Sequence, residues 1–152
     1  MGTVTANRYV SAELSLGRLD RDFRRADIVF HNVDHSEASF DARVYLNNPE
    51  ADEKTGVGSE TGYAGTFHIF GHGGCYGDEG HCDVTDRRMY DPRPAHPLTP
   101  GRKVVIATDA VRRAMQEGST VTVTVVPVVT VATEKCSGDV LKFDRLEVVT
   151  YR

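Results

Sequence analysis

The stretch Phe40-Asp-Ala-Arg-Val-Tyr-Leu-Asn47 decides the fold class of this chain. Its apolar side chains recur at every second position, which is the period of a β-strand with one buried face. The inward set is Phe40, Ala42, Val44 and Leu46, and the outward set is Asp41, Arg43 and Tyr45. Asn48-Pro49 ends the strand, because proline cannot donate a hydrogen bond to a strand ladder.

Strand patterns also lie on both sides of this stretch. They cover residues 8–16 as a loose edge strand, 26–32, 63–70, 103–107, 119–131 with its threonine–valine alternation, and 141–151. One helix is predicted at residues 109–117, with Thr108-Asp109 as its N-cap, a buried stripe of Val111, Ala114 and Met115, and Gly118 at its end. This pattern predicts a mainly β fold, an antiparallel β-sandwich of six to seven strands with one short helix.

The length of 152 residues predicts a single domain over residues 1–152. Within it, residues 1–25 are an N-terminal extension, and residues 50–60 are acidic and predicted to be a mobile surface loop. Residues 71–101 form a glycine- and proline-rich loop region. Its four clustered prolines exclude a helix, and they are Pro92, Pro94, Pro97 and Pro100.

The net charge of −4 argues against a nucleic-acid-binding protein, which normally carries a basic stripe. The early arginines, Arg21, Arg24 and Arg25, alternate with aspartates and are interpreted as a self-neutralised, solvated face. No apolar stretch is long enough to cross a membrane, and no signal peptide follows Met1. We therefore expect a soluble protein, cytoplasmic or exported with a partner, whose oligomeric state the sequence leaves open.

The segment from Tyr63 to Asp83 concentrates the unusual chemistry, because three histidines, two cysteines and six glycines lie in it. The candidate metal ligands are His68, His72, Cys75, His81 and Cys82, with possible oxygen ligands from Asp78, Glu79 and Asp83. Their spacing matches no closed zinc pattern, and a soft Cu(I) site is one interpretation. The alternative is a Cys75–Cys82 disulfide that pins a loop whose histidines are merely polar. Cys136 is then left over.

Several enzyme classes are not supported by the sequence. His72-Gly73-Gly74 resembles the oxyanion stretch of lipases, but no Gly-x-Ser-x-Gly motif accompanies it, and no phosphate-binding loop is present. A paired-copper oxidase needs six histidines that are usually held on facing helices, and the one predicted helix has none. The chain is therefore not expected to be catalytic alone.

Four segments together resemble the C-terminal β-sandwich of tyrosinases, polyphenol oxidases and molluscan haemocyanins, the type-3 copper proteins. They are Phe40 to Pro49, Tyr63-Ala-Gly-Thr-Phe-His-Ile-Phe-Gly71, the threonine–valine strand at 119–126 that ends near Pro127, and the last strand from Leu141. The resemblance implies a non-catalytic companion of a tyrosinase-like dicopper core, with copper in that core, which shields or gates the active site. This chain lacks the catalytic core and carries an additional His/Cys/Gly insertion after Phe70.

In that family the sandwich often inserts one bulky side chain where a phenol would sit, as a plug. The first candidate here is Tyr76 at the tip of the glycine loop, followed by Phe70 and Tyr90, although Phe70 is also explained as a core residue at a strand end. Fungal relatives use cysteines of this region in copper loading, so a copper-delivery protein that binds through His72, Cys75, His81 and Cys82 is an alternative. A stand-alone structural or binding domain is a third hypothesis.

Overall fold

The computed structural model describes residues 8–73, 77–129 and 139–152, and these ranges form nine strands and one α-helix. The strands are β1 Tyr9–Val10, β2 Leu14–Ser15, β3 Arg25–Val33, β4 Phe40–Leu46, β5 Tyr63–Ile69, β6 Gly101–Ile106, β7 Thr120–Val121, β8 Val123–Val129 and β9 Arg145–Tyr151. Helix α1 spans Thr108–Glu117, and a 3₁₀ turn spans Ser59–Thr61. Six of these strands have six or more residues, which agrees with the six to seven strands predicted from the sequence.

All the strand pairings are antiparallel, and they build two main sheets. One has four strands in the order β1-β8-β4-β5, the other has three in the order β6-β3-β9, and β2 pairs separately with β7. The two main sheets pack face to face around one core. Phe30 of β3 meets Phe67 of β5 across it, with ring centroids 4.8 Å apart. The predicted β-sandwich is therefore confirmed.

The apolar side chains of β4 that were predicted to face inward do so, since all four belong to the main core. Its outward neighbour Tyr45 is nevertheless completely buried. The cause is the segment 47–58, which folds back over the outer face of the four-stranded sheet and covers Tyr45 with Ala51. The Tyr45 hydroxyl donates a hydrogen bond to the Thr55 carbonyl at 3.1 Å, and the Arg43 guanidinium donates to the Glu53 carbonyl. Residues 50–60, predicted to be a mobile surface loop, do lie mostly at the surface, but the buried Ala51 and the Glu53 and Thr55 carbonyls attach them to the sheet.

Helix α1 begins differently from the prediction. Its N-cap is Ala107, which offers no side-chain hydrogen bond, and the Thr108 hydroxyl instead accepts the backbone N–H of Ala26 at 3.2 Å. The predicted N-cap is wrong because this hydroxyl is used to join the helix to β3. The end at Gly118 and the buried stripe, extended by Ala110, are as predicted.

Two predicted strands are each divided in the structure. Residues 8–16 form β1 and β2, so part of the expected N-terminal extension belongs to the sheets. Residues 119–129 divide at Thr122, whose backbone exchanges two hydrogen bonds with Asn47. Pro127 is tolerated inside β8 because, among the described residues, β1 pairs only with Thr124 and Val125 and not with Pro127. Within the described ranges no helix is long and apolar enough to cross a membrane.

Candidate insertion loop between β5 and β6

The connection from Phe70 to Pro100 carries most of the predicted site residues, and its first residues are fixed to the sandwich. The backbone N–H of Gly71 donates to the Ser39 hydroxyl at 3.0 Å, and that of Gly73 donates to the Glu37 carbonyl at 2.9 Å. A Cβ at Gly71 would lie 2.0 Å from the Glu37 oxygen, so only glycine allows this approach. The loop therefore leaves the sheet along a defined path.

Farther along, residues 87–93 form what we call the insertion turn. The backbone N–H of Asp91 donates to the Arg88 carbonyl at 3.2 Å, which closes a four-residue turn around Met89 and Tyr90. Tyr90 has a φ of 65°, in the left-handed region that glycine normally occupies in such turns. Both side chains at this tip point into solvent, since Met89 is 81% exposed and Tyr90 is 93% exposed.

Arginine side chains hold the insertion turn together. Arg87 donates to the Asp91 carbonyl at 2.7 Å and also to the Arg93 carbonyl. Arg93 binds both carboxylate oxygens of Asp91, with Nε–Oδ1 at 2.9 Å and Nη2–Oδ2 at 2.6 Å. The hydrogen bonds from the Arg93 side chain, followed by the one from its backbone N–H, lower the pKa of Asp91 below its usual value. The carboxylate therefore stays ionised and bidentate at neutral pH.

The left-handed backbone conformation of Tyr90 costs free energy, and packing of its exposed side chain does not offset that cost. A left-handed conformation costs a non-glycine residue about 1–2 kcal/mol, and an exposed ring gains almost nothing from burial. Glycine at this position would remove the strain, and a polar residue would remove the exposed apolar surface. Backbone strain of this kind is concentrated at functional sites in proteins.

Phe70 is also presented to solvent, since it is 87% exposed directly after β5. The inward positions of that strand are Phe67 and Ile69, both buried, so Phe70 falls outside the core. Its explanation as a core residue is therefore wrong, and Phe70 stays a plug candidate. Tyr76, the first candidate from the sequence, lies outside the described residues.

The predicted metal ligands are distributed over separate places. His68 is on the outer face of β5, with Nδ1 2.6 Å from the Asp41 carboxylate. The His72 ring packs edge-on against His35, with centroids 5.5 Å apart, while His81 lies beside Cys82, with Nδ1 3.5 Å from the sulfur.

In the described part of the chain, no three histidine, cysteine or carboxylate side chains converge on a position suitable for a metal ion. Cys75 lies outside that part. The five-residue metal set and the Cys75–Cys82 disulfide therefore both stay predictions.

Sequence reasoning missed two histidines that touch this region. Burial and the neighbouring His72 lower the pKa of His35, whose Nδ1 is buried and has no hydrogen-bond partner among the described residues. The Nε2–H group of His96 donates a hydrogen bond to the His81 carbonyl, 2.8 Å away. No local sequence pattern predicts either contact. By contrast, the Arg-x-x-x-Asp-x-Arg spacing around Tyr90 (Arg87, Asp91 and Arg93) places one carboxylate between two arginines, although it does not show the positive φ of Tyr90.

The fold and this loop define a class: an antiparallel β-sandwich with an aromatic-tipped connection between its two sheets. No family model and no curated protein sequence matches the chain. Solved structures do match it, among them a recombinantly expressed latent aurone synthase, a polyphenol oxidase, co-crystallised with hexatungstotellurate(VI) (TM-score 0.56, 11% identity), and latent aurone synthase from its natural source (TM-score 0.54, 14% identity).

These matches include nearly all of the present chain but only a fraction of the neighbours. The alignments cover 96% and 97% of this chain, and 24% and 25% of the two neighbours. At such low identity the likeness is one of fold. The resemblance to a domain of polyphenol oxidases is thus supported by the three-dimensional structure, and the chain corresponds to about a quarter of those proteins.

Proposed function

We propose that this chain is a non-catalytic β-sandwich unit that packs on a tyrosinase-like dicopper core and shields the entrance to its active site. The observation that carries the proposal is the likeness of almost the whole chain to one quarter of latent polyphenol oxidases. Those neighbours are named as latent forms, and a unit that covers the entrance is a simple physical route to latency. The likeness supports the shared fold, and the shielding role is our inference.

Copper, in this proposal, belongs to the partner core. The described residues of the chain bring no three metal-ligating side chains together, so they do not fit a copper pair. The chain would exclude water and substrate from the active site of the core and would not itself carry out redox chemistry. An apolar side chain placed in the entrance removes water and competes with substrate for the same space.

Among the described residues, Tyr90 is the side chain that best fits this role. Its phenol ring is the same chemical group as a phenolic substrate, and it stands at the tip of a turn that two arginines already hold in place. A preformed turn loses little conformational entropy on insertion, which favours binding. Burying an aromatic ring removes about 150–250 Å² of surface from water. Phe70 and Tyr76 are the competing candidates.

The test is a substitution series in the protein that joins this chain to its oxidase core, on one polypeptide or two. Tyr90→Gly is expected to raise the rate of phenol oxidation, because the entrance is opened, while circular dichroism of the chain stays unchanged. Phe70→Gly and Tyr76→Gly are the matched comparisons and are expected to leave the rate near that of the parent. A rise only with one of those two would reassign the plug, and no rise with any of the three contradicts the shielding role.

A copper-delivery function is the second proposal, and the packing of His72 against His35 supports it. Its test is a Cu(I) titration of the reduced chain, with Cys82→Ser compared with Cys136→Ser. Binding tighter than micromolar that is lost only with Cys82→Ser supports delivery. Weaker binding, or equal loss in both variants, removes this alternative.

A further inference from the structure

The connection between β5 and β6 is divided by charge. Residues 77–86 contain four carboxylates, and no lysine or arginine: Asp78, Glu79, Asp83 and Asp86. Residues 87–100 reverse this, with three cations: Arg87, Arg88 and Arg93. Their only carboxylate is Asp91. The insertion turn therefore begins a basic segment in a chain whose net charge is −4.

The positive charge at the tip is not neutralised locally. The single carboxylate of the turn, Asp91, is held by Arg93 in a bidentate pair. The guanidinium of Arg88, next to Met89, is exposed and makes no hydrogen bond or ion pair with the described residues. Arg87 is fixed by the two carbonyls that it binds, so its charge is already in place before any partner arrives.

We infer that the insertion turn docks on a protein surface in which carboxylates surround an apolar opening. This inference rests on the proposed function, since the partner is the same oxidase core, and it adds the chemistry of the core's entrance. The Met89–Tyr90 tip enters the opening, and the adjacent guanidiniums, Arg88 above all, meet the carboxylates at its rim. Arginine suits such a rim because it is weakly hydrated and binds carboxylates in a bidentate manner.

A nucleic acid is disfavoured as the partner of this basic segment. The preceding ten residues carry four negative charges that would repel phosphates. Charge complementarity with a protein rim predicts a definite kinetic signature. Rim charges act mainly on the association rate and lose their effect as salt screens them.

The experiment measures association of the isolated chain with its oxidase core, freed of the chain and immobilised, by biolayer interferometry at low and high NaCl. Arg88→Glu is expected to lower the association rate constant about tenfold at low salt, with a dissociation rate within about twofold of the parent. The deficit should shrink to about twofold near 0.5 M NaCl. Arg18→Glu is the matched control, because Arg18 is also exposed and unpaired among the described residues but lies between β2 and β3.

The outcomes separate this inference from the proposed function. Equal effects of Arg88→Glu and Arg18→Glu would mean that only net charge matters, and an increased rate with Arg88→Glu would mean a basic rim. Either result overturns the acidic rim, while a raised oxidase activity with Tyr90→Gly would still support shielding. Tighter binding of the parent chain to a DNA duplex than to the core overturns the inference as well.

Discussion

Two buried residues with hydroxyl groups, one on β4 and one on β8, allow two predictions of opposite sign for the free energy of unfolding. Tyr45 and Thr124 are cross-strand partners on the outer face of the four-stranded sheet, and both are completely buried. The Tyr45 hydroxyl donates to the Thr55 carbonyl, whereas the Thr124 hydroxyl has no partner among the described residues. The perturbation is to remove each hydroxyl alone, by Tyr45→Phe and by Thr124→Val.

The magnitudes follow from hydrogen-bond energetics. A buried polar group without a partner costs about 1–3 kcal/mol, and the methyl group of valine fills the space of the threonine hydroxyl. Thr124→Val should therefore raise the free energy of unfolding by about 1 kcal/mol. Tyr45→Phe removes a satisfied bond and leaves the Thr55 carbonyl without its donor, so it should lower the free energy of unfolding by about 1 kcal/mol.

The assay is urea unfolding of the two variants and the parent, followed by circular dichroism, with thermal melts as a second measure. For a chain of this size each 1 kcal/mol corresponds to about 2–4 °C in Tm. The two midpoints should move in opposite directions from the parent. A lower stability of Thr124→Val would refute the reasoning, because it would mean that the hydroxyl has a partner, such as a bound water, and does not pay a desolvation cost.

Three further predictions concern the loop. Gly71→Ala should destabilise the chain by about 2 kcal/mol, because its Cβ would meet the Glu37 carbonyl at 2.0 Å, whereas Gly101→Ala, in open space, should be nearly neutral in the same melts. Asp91→Asn should loosen the insertion turn and raise oxidase activity less than Tyr90→Gly does. Because the pKa of Asp91 is lowered from 3.8, its contribution should persist from neutral pH to about pH 4 and disappear as pH falls further, and carboxylate NMR titration should show this. Non-reducing peptide mapping should recover a cross-linked Cys75–Cys82 peptide, and recovery of Cys136 joined to either one would contradict that pairing.

The strands could be predicted because their periodicity is a local property. The alternation in β4 reports its buried face directly, and β-branched runs identify β3 and β8. What failed depends on contacts between distant residues. Nothing local shows that Asn47 divides β7 from β8, or that the Thr108 hydroxyl is used by Ala26 and not as a helix cap. The burial of Tyr45 likewise depends on a segment whose acidic composition is typical of a solvated loop.

The candidate site was predicted less well than the fold, for a related reason. Glycine, histidine and cysteine enrichment pointed to the connection after β5, but enrichment does not define where side chains converge. His68 and His72 are only four positions apart, yet one faces Asp41 on the sheet and the other faces His35 in a turn. The exposure of Tyr90 depends on an arginine-bound turn with positive φ, and that geometry becomes visible only in three dimensions.

The central position of β3 in its sheet has a consequence for how the chain acquires its structure. This strand pairs on one side with β6 and on the other with β9, the last of the described strands. Strand β1 likewise pairs with β8, which lies far along the sequence from it. Pairings across such separations impose a large loop-closure entropy, so folding should take milliseconds to seconds. On the ribosome, β3 would keep an unpaired edge until residues 145–151 have emerged, which makes the nascent chain vulnerable to misassociation at that edge.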